Sequence, residues 1–385
     1  MIVRGRRKLM KQRFYSLDLI RILAATLVII VHTKGVFFDK QLNPEIFAFF
    51  WVIGTIGVPL FVILTGYLML PRNFNEDDYL SRYLHRNFLP LFISFECWNL
   101  LWFLFDKIPF LTLYKNPMGI KWSTTVKAAL FIGDTNSALW YLPMTIALYL
   151  GIPIVSYVLK EISNKAYITV LSITLIISGT IIPTTALIAQ VFGYYPHIHS
   201  VLKMNIFGAS VWGESVWMIY VIAGYIIYKG KLRNLGTWKL LFFGIFIPLL
   251  PFYFIQLRNI YGLGPDIHSY DLIFVVIPSI SLFEILNRIE PFFEKASLSF
   301  KKCLTYVGQA SFTIYMLHIF VGGALIHIIR IIKPLQGFLD MVGYLRGWNI
   351  IIYFIFIIGI IIISCLIESI LSKNKMLKRW LLLKK

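Results

Sequence analysis

Apolar runs of about 20 residues recur along the whole chain, the length a helix needs to cross a hydrocarbon core about 30 Å thick. On that criterion about ten segments stand out, centred near Val28, Leu60, Phe95, Leu148, Leu175, Val216, Phe246, Ile277, Met316 and Ile360. Composition agrees: only 14% of the 385 residues are charged, against about a quarter in soluble domains. The expected fold is therefore all-α, a polytopic membrane protein with about ten transmembrane helices. Connecting segments are short apart from Lys107 to Ser137, and no Gly- or Ser-rich linker or internal repeat divides the chain. Residues 1–385 read as a single transmembrane domain.

The formal net charge of +19 excludes little by itself. The basic residues lie between apolar runs rather than along one polar face, so they report topology and contact with anionic membrane lipids, not nucleic acid. With the N-terminus inside, about 25 of the 37 Lys and Arg fall on the cytoplasmic side and about 11 outside. That asymmetry predicts an even number of spans and two cytoplasmic termini. The basic N-terminus, residues 1–13, is followed by a long apolar run without a small-x-small cleavage site and reads as part of a retained anchor. The basic tail, residues 373–385, reads as cytoplasmic. Lys127 and Asp134 flank an apolar stretch, Ala128 to Ile132, too short to span and placed to dip into the membrane. Cys97, Cys303 and Cys365 have neither zinc-site nor disulfide spacing and read as small packing residues.

The first span, from Ser16 to Gly35, contains Asp18, Arg21 and His32. A charge near the middle of a spanning helix costs about 2.5–3.5 kcal/mol on insertion scales, so such residues face protein or water. Arg21 and His32 are eleven residues apart, which is three helical turns plus about 20°; they share a face with about 16 Å of rise between them. Asp18 precedes Arg21 by three positions and can pair with it. Two readings stay open: an interfacial ion pair with a headgroup-level histidine, or one wall of a polar cavity. In the second, imidazole suits proton removal from a hydroxyl and guanidinium suits a phosphate or a developing oxyanion.

Other polar residues stand in or beside apolar runs. In the second span Pro59 and Gly66 permit a kink or close helix approach. If a helix begins near Asp77, Arg82, His85 and Arg86 share a face. That trio suits a phosphate clamp, and it also suits a plain positive-inside cluster. Glu214, in VWGESVW, and Glu96, in SFECWNLLW, are carboxylates within apolar surroundings, each a candidate to bind hydroxyl groups of a ligand, to orient a histidine or to hydrogen-bond between helices. His197 and His199 lack the further ligands a metal site needs, so no metal is expected.

LDLIRILAATLVIIVH, then PLFVILTGYLM, then Arg82 and Arg86 ahead of Pro90, then LWYLPM from Leu139 and SFTIYMLH from Ser311 follow one another from the first span to the ninth. In that order they resemble the family 3 membrane acyltransferases. Phe61-Val62 and Thr65-Gly66 stand where two adjacent aromatics and a serine before glycine are usual in that family. The resemblance implies about ten membrane helices and acyl transfer, commonly acetyl, from cytoplasmic acetyl-CoA or another acyl-CoA to a hydroxyl of a cell-envelope glycan. It suggests His32 as catalytic base and Arg21, with Asp18, as its polar-wall partner. Arg82 and Arg86, with His85 between them, would contact the phosphates of coenzyme A. Trp140 and Tyr315 match aromatic positions and His318 a recurrent histidine. Tyr315 and His318, three residues apart, lie on one helix face. Some members append an esterase-like or racemase domain, for which this chain has no room. The implied location is the bacterial inner or plasma membrane. A transporter of a lipid-linked glycan, with buried charges lining its path, is the competing reading.

Overall fold

The computed structural model describes residues 13–108, 119–130, 140–162, 164–194, 205–206, 209–210, 216–264, 270–331 and 348–384. These residues are helical almost throughout, as lipid requires, because a helix satisfies its own backbone N–H and C=O groups where no water can. The helices run in chain order as α1 (Tyr15–Phe37), α2 (Pro44–Thr55), α3 (Gly57–Met69), α4 (Asp77–Tyr83), α5 (Leu89–Phe105), α6 (Trp122–Ala129), α7 (Tyr141–Glu161) and α8 (Lys165–Ile176). They continue as α9 (Ile182–Val191), α10 (Val216–Tyr228), α11 (Ile247–Ile260), α12 (Ile273–Arg288), α13 (Glu290–Glu294), α14 (Leu298–Ile331), α15 (Trp348–Leu371) and α16 (Lys375–Trp380). A two-residue antiparallel pair joins Asn205–Ile206 to Ala209–Ser210.

Eight continuous helical runs among the described residues are long and apolar enough to cross a membrane, and this is a multi-pass membrane protein. The shorter α10 and α12 occupy the two remaining positions at which the sequence predicts a span. The short α6 covers the start of the stretch expected to dip into the membrane; residues 131–139 lie outside the described residues. Cys303 is exposed, beside Lys301 and Lys302 at the start of α14, rather than packed.

Among the described residues three π-helical stretches, Leu84–Phe88, Ile177–Ile181 and Leu240–Phe246, each end two residues before a proline: Pro90, Pro183 and Pro248. Proline has no N–H to donate and its ring collides with the carbonyl four residues earlier. A wider i→i+5 turn makes room without ending the helix.

The first helix is the axis of the bundle. α14, α2, α3, α12 and α15 all pack on it. Its start is fixed by Glu290, whose carboxylate accepts from the backbone N–H groups of Tyr15 and Ser16 at 3.0 and 2.7 Å. These are donors a helix N-terminus cannot satisfy internally. Just inside, Asp18 is 1% exposed and takes Arg13 Nε at 2.8 Å and Arg21 Nη1 at 2.6 Å. α14 reaches this pair only because residue 308 is glycine: a Cβ there would lie 2.7 Å from the Cβ of Asp18. The far half is pinned by Tyr353 of α15, whose hydroxyl donates to the Ile30 carbonyl at 2.8 Å and lies 3.1 Å from Thr33 Oγ1.

α3 and α10 cross most intimately. A Cβ on Gly66 would fall 1.9 Å from the Val221 carbonyl oxygen, and one on Gly224 would fall 2.1 Å from that of Ile63. Such backbone-to-backbone contact is how small residues join helices where lipid supplies no hydrophobic drive. Gly66→Ala or Gly224→Ala therefore forces the helices apart, at a cost of about 3 kcal/mol or more. Thermal melts of detergent-purified protein should shift down clearly for both variants, and an unchanged midpoint would contradict this crossing.

Candidate functional site

The face of α1 that carries Arg21 opens onto a cavity of about 320 Å³. Its polar lining comes from four helices: Arg21 of α1, Thr65 of α3, Tyr141, Thr145 and Tyr149 of α7, and Ser311 and Tyr315 of α14, with Leu91 of α5 among its apolar walls. Two of these hydroxyls have already spent their protons, since Thr65 donates to the Phe61 carbonyl at 2.9 Å and Thr145 to that of Tyr141 at 2.7 Å. They turn acceptor lone pairs toward the chamber. Asp18 stands behind Arg21 and holds its guanidinium from one side, leaving the remaining N–H donors of that fork for a ligand.

From Tyr315 an aromatic path leads toward the other end of α1. The Tyr315 ring lies 5.3 Å from that of Tyr141 and 5.8 Å from His318, and the His318 ring lies 5.2 Å from His32. α1 and α14 thus bring together two histidines that are 286 positions apart in the chain. His318 is 1% exposed, and its Nδ1 sits against the Tyr315 carbonyl one turn back. A carbonyl only accepts, so Nδ1 carries the proton and Nε2 presents a lone pair in the neutral ring. Among the described residues that Nε2 has no hydrogen-bond partner. His32 is half-buried. Two residues on, Lys34 is buried with its ammonium 4.2 Å from the Trp51 ring centroid and 4.9 Å from that of Phe47.

A second cavity, about 730 Å³, opens beside the first. Arg86, Asn87, Lys375, Lys378, Arg379 and Lys384 give it its polar wall. Leu91, Tyr149 and Leu383 line both cavities, so three side chains separate a basic vestibule from the inner chamber. Tyr149 is kept in place through its carbonyl, which accepts from the Tyr83 hydroxyl at 2.8 Å.

Arg21 and Tyr315 line the chamber; His318 adjoins Tyr315 and His32 adjoins His318, and neither histidine is in the chamber lining. Of the basic trio, Arg86 lines the vestibule, while Arg82 and His85 are exposed outside its lining. The reason is local: the helix starts at Asp77 as expected, but the π turn at Leu84–Phe88 changes the angular spacing on which a shared face was counted. His85 Nδ1 lies 3.0 Å from the Ser81 carbonyl. Trp140 packs against Trp217 at 5.5 Å and Tyr270 at 5.3 Å, next to Tyr141 rather than in the chamber lining. Glu96 is half-buried on α5. Glu214, His197 and His199 lie outside the described residues. No three His, Cys, Asp or Glu side chains among the described residues stand close enough to hold a metal ion.

The tail went unnoticed as a wall of the site, because a basic segment after a last span is fully accounted for by topology. Its sequence did hold a local signal, an asparagine ahead of KMLKRW. The Asn374 side chain caps α16, accepting from the N–H groups of Met376 and Leu377 at 2.8 and 3.3 Å. Tyr141 falls within LWYLPM, whereas Thr145 and Tyr149 have no charge or motif that marks them in the sequence of an apolar span.

Sequence comparison adds the family. The profile of a family described as an acyltransferase domain matches residues 14–369, nearly the whole chain. A protein of Enterococcus faecalis described as an amino-acid racemase is 29% identical over 167 residues, which is 40% of this chain and 21% of that protein. The match thus spans about a fifth of that relative's length. No solved structure matches. With its polytopic helical fold and a match that runs from the first span into the last, the chain belongs to the acyltransferase family 3 membrane proteins.

Proposed function

We propose that this protein is an O-acyltransferase that moves an acyl group, acetyl in the simplest case, from cytoplasmic acyl-CoA to a hydroxyl of a cell-envelope or exported glycan. It would work in the bacterial plasma membrane with both basic ends in the cytoplasm. The observation that carries the reading is the basic vestibule that adjoins the Arg21 chamber, together with the ring contacts that lead from Tyr315 of that chamber through His318 to His32. Family membership supports acyl transfer; donor and acceptor are our inference.

In this mechanism the donor's phosphates stay among the vestibule cations and the thioester arm passes Tyr149 and Leu383 into the chamber. The acceptor approaches from the end of α1 that carries Lys34. Neutral His32 removes the acceptor's hydroxyl proton while that oxygen attacks the thioester carbonyl. The tetrahedral oxyanion is stabilised by amide N–H groups beside the imidazole, while Arg21, about 16 Å of helix rise away, orients the donor's thioester arm from within the chamber. Collapse breaks the C–S bond, releasing the ester, and the proton leaves with the coenzyme A thiol. His318 is a positioning residue here: with Nδ1–H held by the Tyr315 carbonyl, its Nε2 can accept from His32 and turn the imidazole's free lone pair toward the acceptor. Trp140 and its aromatic neighbours lie on the acceptor side, where a sugar ring would stack. Glu214 remains a candidate for the acceptor's hydroxyls.

Labelled acyl transfer in proteoliposomes tests the assignment. His32→Ala should lower turnover by about 10²–10⁴-fold, the usual worth of a general base, while the protein still inserts and melts normally. Full turnover in that variant would remove the base. His318→Gln should lower turnover less and displace the pH–rate profile, an effect that lost packing alone would not produce. Arg21→Lys keeps the charge but loses the planar fork, and should reduce turnover at saturating donor with little change in KM. A parent protein that neither consumes nor hydrolyses acyl-CoA but carries glycan across the bilayer would establish the transporter reading instead.

A further inference from the structure

The tail after the last span is rigidly built for a string of residues whose charge alone would keep them cytoplasmic. Leu381 and Leu382 are buried, and the Leu381 carbonyl accepts from Ser94 Oγ at 3.0 Å and Trp98 Nε1 at 3.2 Å, both on α5. Lys384 reaches back to pair with Glu368, a carboxylate 1% exposed near the end of α15. Leu383 has φ of 56°, the only non-glycine residue with positive φ among the described residues. A leucine takes that left-handed conformation only where its surroundings hold it.

The consequence of this docking is electrostatic. α16 is laid against the vestibule so that Lys375, Lys378 and Arg379 line the same space as Arg86. No carboxylate lines that space, and none of these four cations is in an ion pair among the described residues. Lys384 differs, because Glu368 already compensates it. Four like charges gathered around one cavity repel one another, and a polyanion is the species that relieves them. The cavity volume is that of a site for a nucleotide-sized ligand, within the usual span of about 300–1,000 Å³. Its inner boundary, Leu91, Tyr149 and Leu383, is also the boundary of the chamber.

We infer that α16 and Arg86 form the binding site for the phosphate groups of the acyl donor, with Lys375, Lys378 and Arg379 as their principal partners and Leu383 at the gap through which the donor's uncharged arm enters the chamber. This rests on the acyl-CoA reading given above and deepens it: the phosphate clamp is built jointly by the π turn before α5 and by the tail, and Arg82 stands outside it. An anionic lipid headgroup offers the same phosphate chemistry, and the experiment separates the two sources.

The full chain and the combined variant Lys375→Gln, Lys378→Gln, Arg379→Gln are purified in detergent and matched by melting temperature. Coenzyme A and 3′-dephospho-coenzyme A are then titrated at two salt concentrations. The expected result is a rise in Kd for coenzyme A of about tenfold or more in the variant, with a shallower salt dependence than the parent. The parent should also bind the dephospho form more weakly. Arg82→Gln should leave the Kd unchanged. In proteoliposomes of phosphatidylcholine alone the variant should show a raised KM for acyl-CoA with kcat at saturation near that of the parent, and adding phosphatidylglycerol should not alter the difference. A variant that binds coenzyme A as the parent does overturns the inference, as does a difference that appears only with phosphatidylglycerol, which would assign the cations to lipid. A parent that binds coenzyme A through these residues yet transfers no acyl group would overturn the acyltransferase mechanism and leave this site standing. Normal transfer with an unchanged KM in the variant would do the reverse.

Discussion

A carboxylate inside a spanning helix cannot stand alone, and Asp18 does not. Its two oxygens are shared between Arg13, below the helix, and Arg21, one turn into it. Removing Asp18 would leave two neighbouring guanidinium groups without their shared counter-charge, so the three residues behave as one unit. That unit fixes where α1 sits along the membrane normal and demands the close approach of α14 at Gly308. Because six other helices, the short α13 included, pack on α1 among the described residues, the register of the bundle follows from it. The same ion pair aims Arg21 into the inner chamber, so the interaction that makes the first helix tolerable to the membrane also furnishes the site with its guanidinium.

The second consequence is depth. α1 rises about 1.5 Å per residue, so Arg21 and His32 face the same side at levels too far apart for one small molecule's reacting centre to touch both directly. α14 closes the difference by placing Tyr315 and His318 between those levels. The histidine pair is therefore the product of one helix–helix contact, while the chamber also needs α3, α5 and α7. A substrate that must reach from one membrane face toward the other needs a long arm with charge at only one end, and a basic vestibule that narrows at Tyr149 and Leu383 into a chamber with one guanidinium has that form.

The prolines carry a quieter lesson. Each of the π stretches sits where a spanning helix must accommodate a proline without breaking, and the turn before Pro90 also changes which basic side chains look inward. Counting positions at α-helical spacing put Arg82, His85 and Arg86 on one face; the wider turn admits Arg86 alone to the vestibule lining. Winding in lipid is constrained by hydrogen bonding rather than by water, and a missing N–H is therefore absorbed by changing the turn rather than by exposing a carbonyl.

Much of this protein was legible in one dimension. Apolar run length sets the number and type of elements, because the bilayer has a fixed thickness and admits helices that satisfy their own backbones. Within the first span the eleven-residue spacing of Arg21 and His32 assigns them one face, because helical periodicity is a local property. Other features were beyond such reading. His318 reaches His32, the tail becomes a wall of the vestibule and Gly224 meets Gly66 only once helices hundreds of residues apart in sequence have packed. Those contacts depend on which ridges fit which grooves and on where a missing Cβ lets two backbones touch, which is information distributed over both partners and carried by neither stretch of sequence alone.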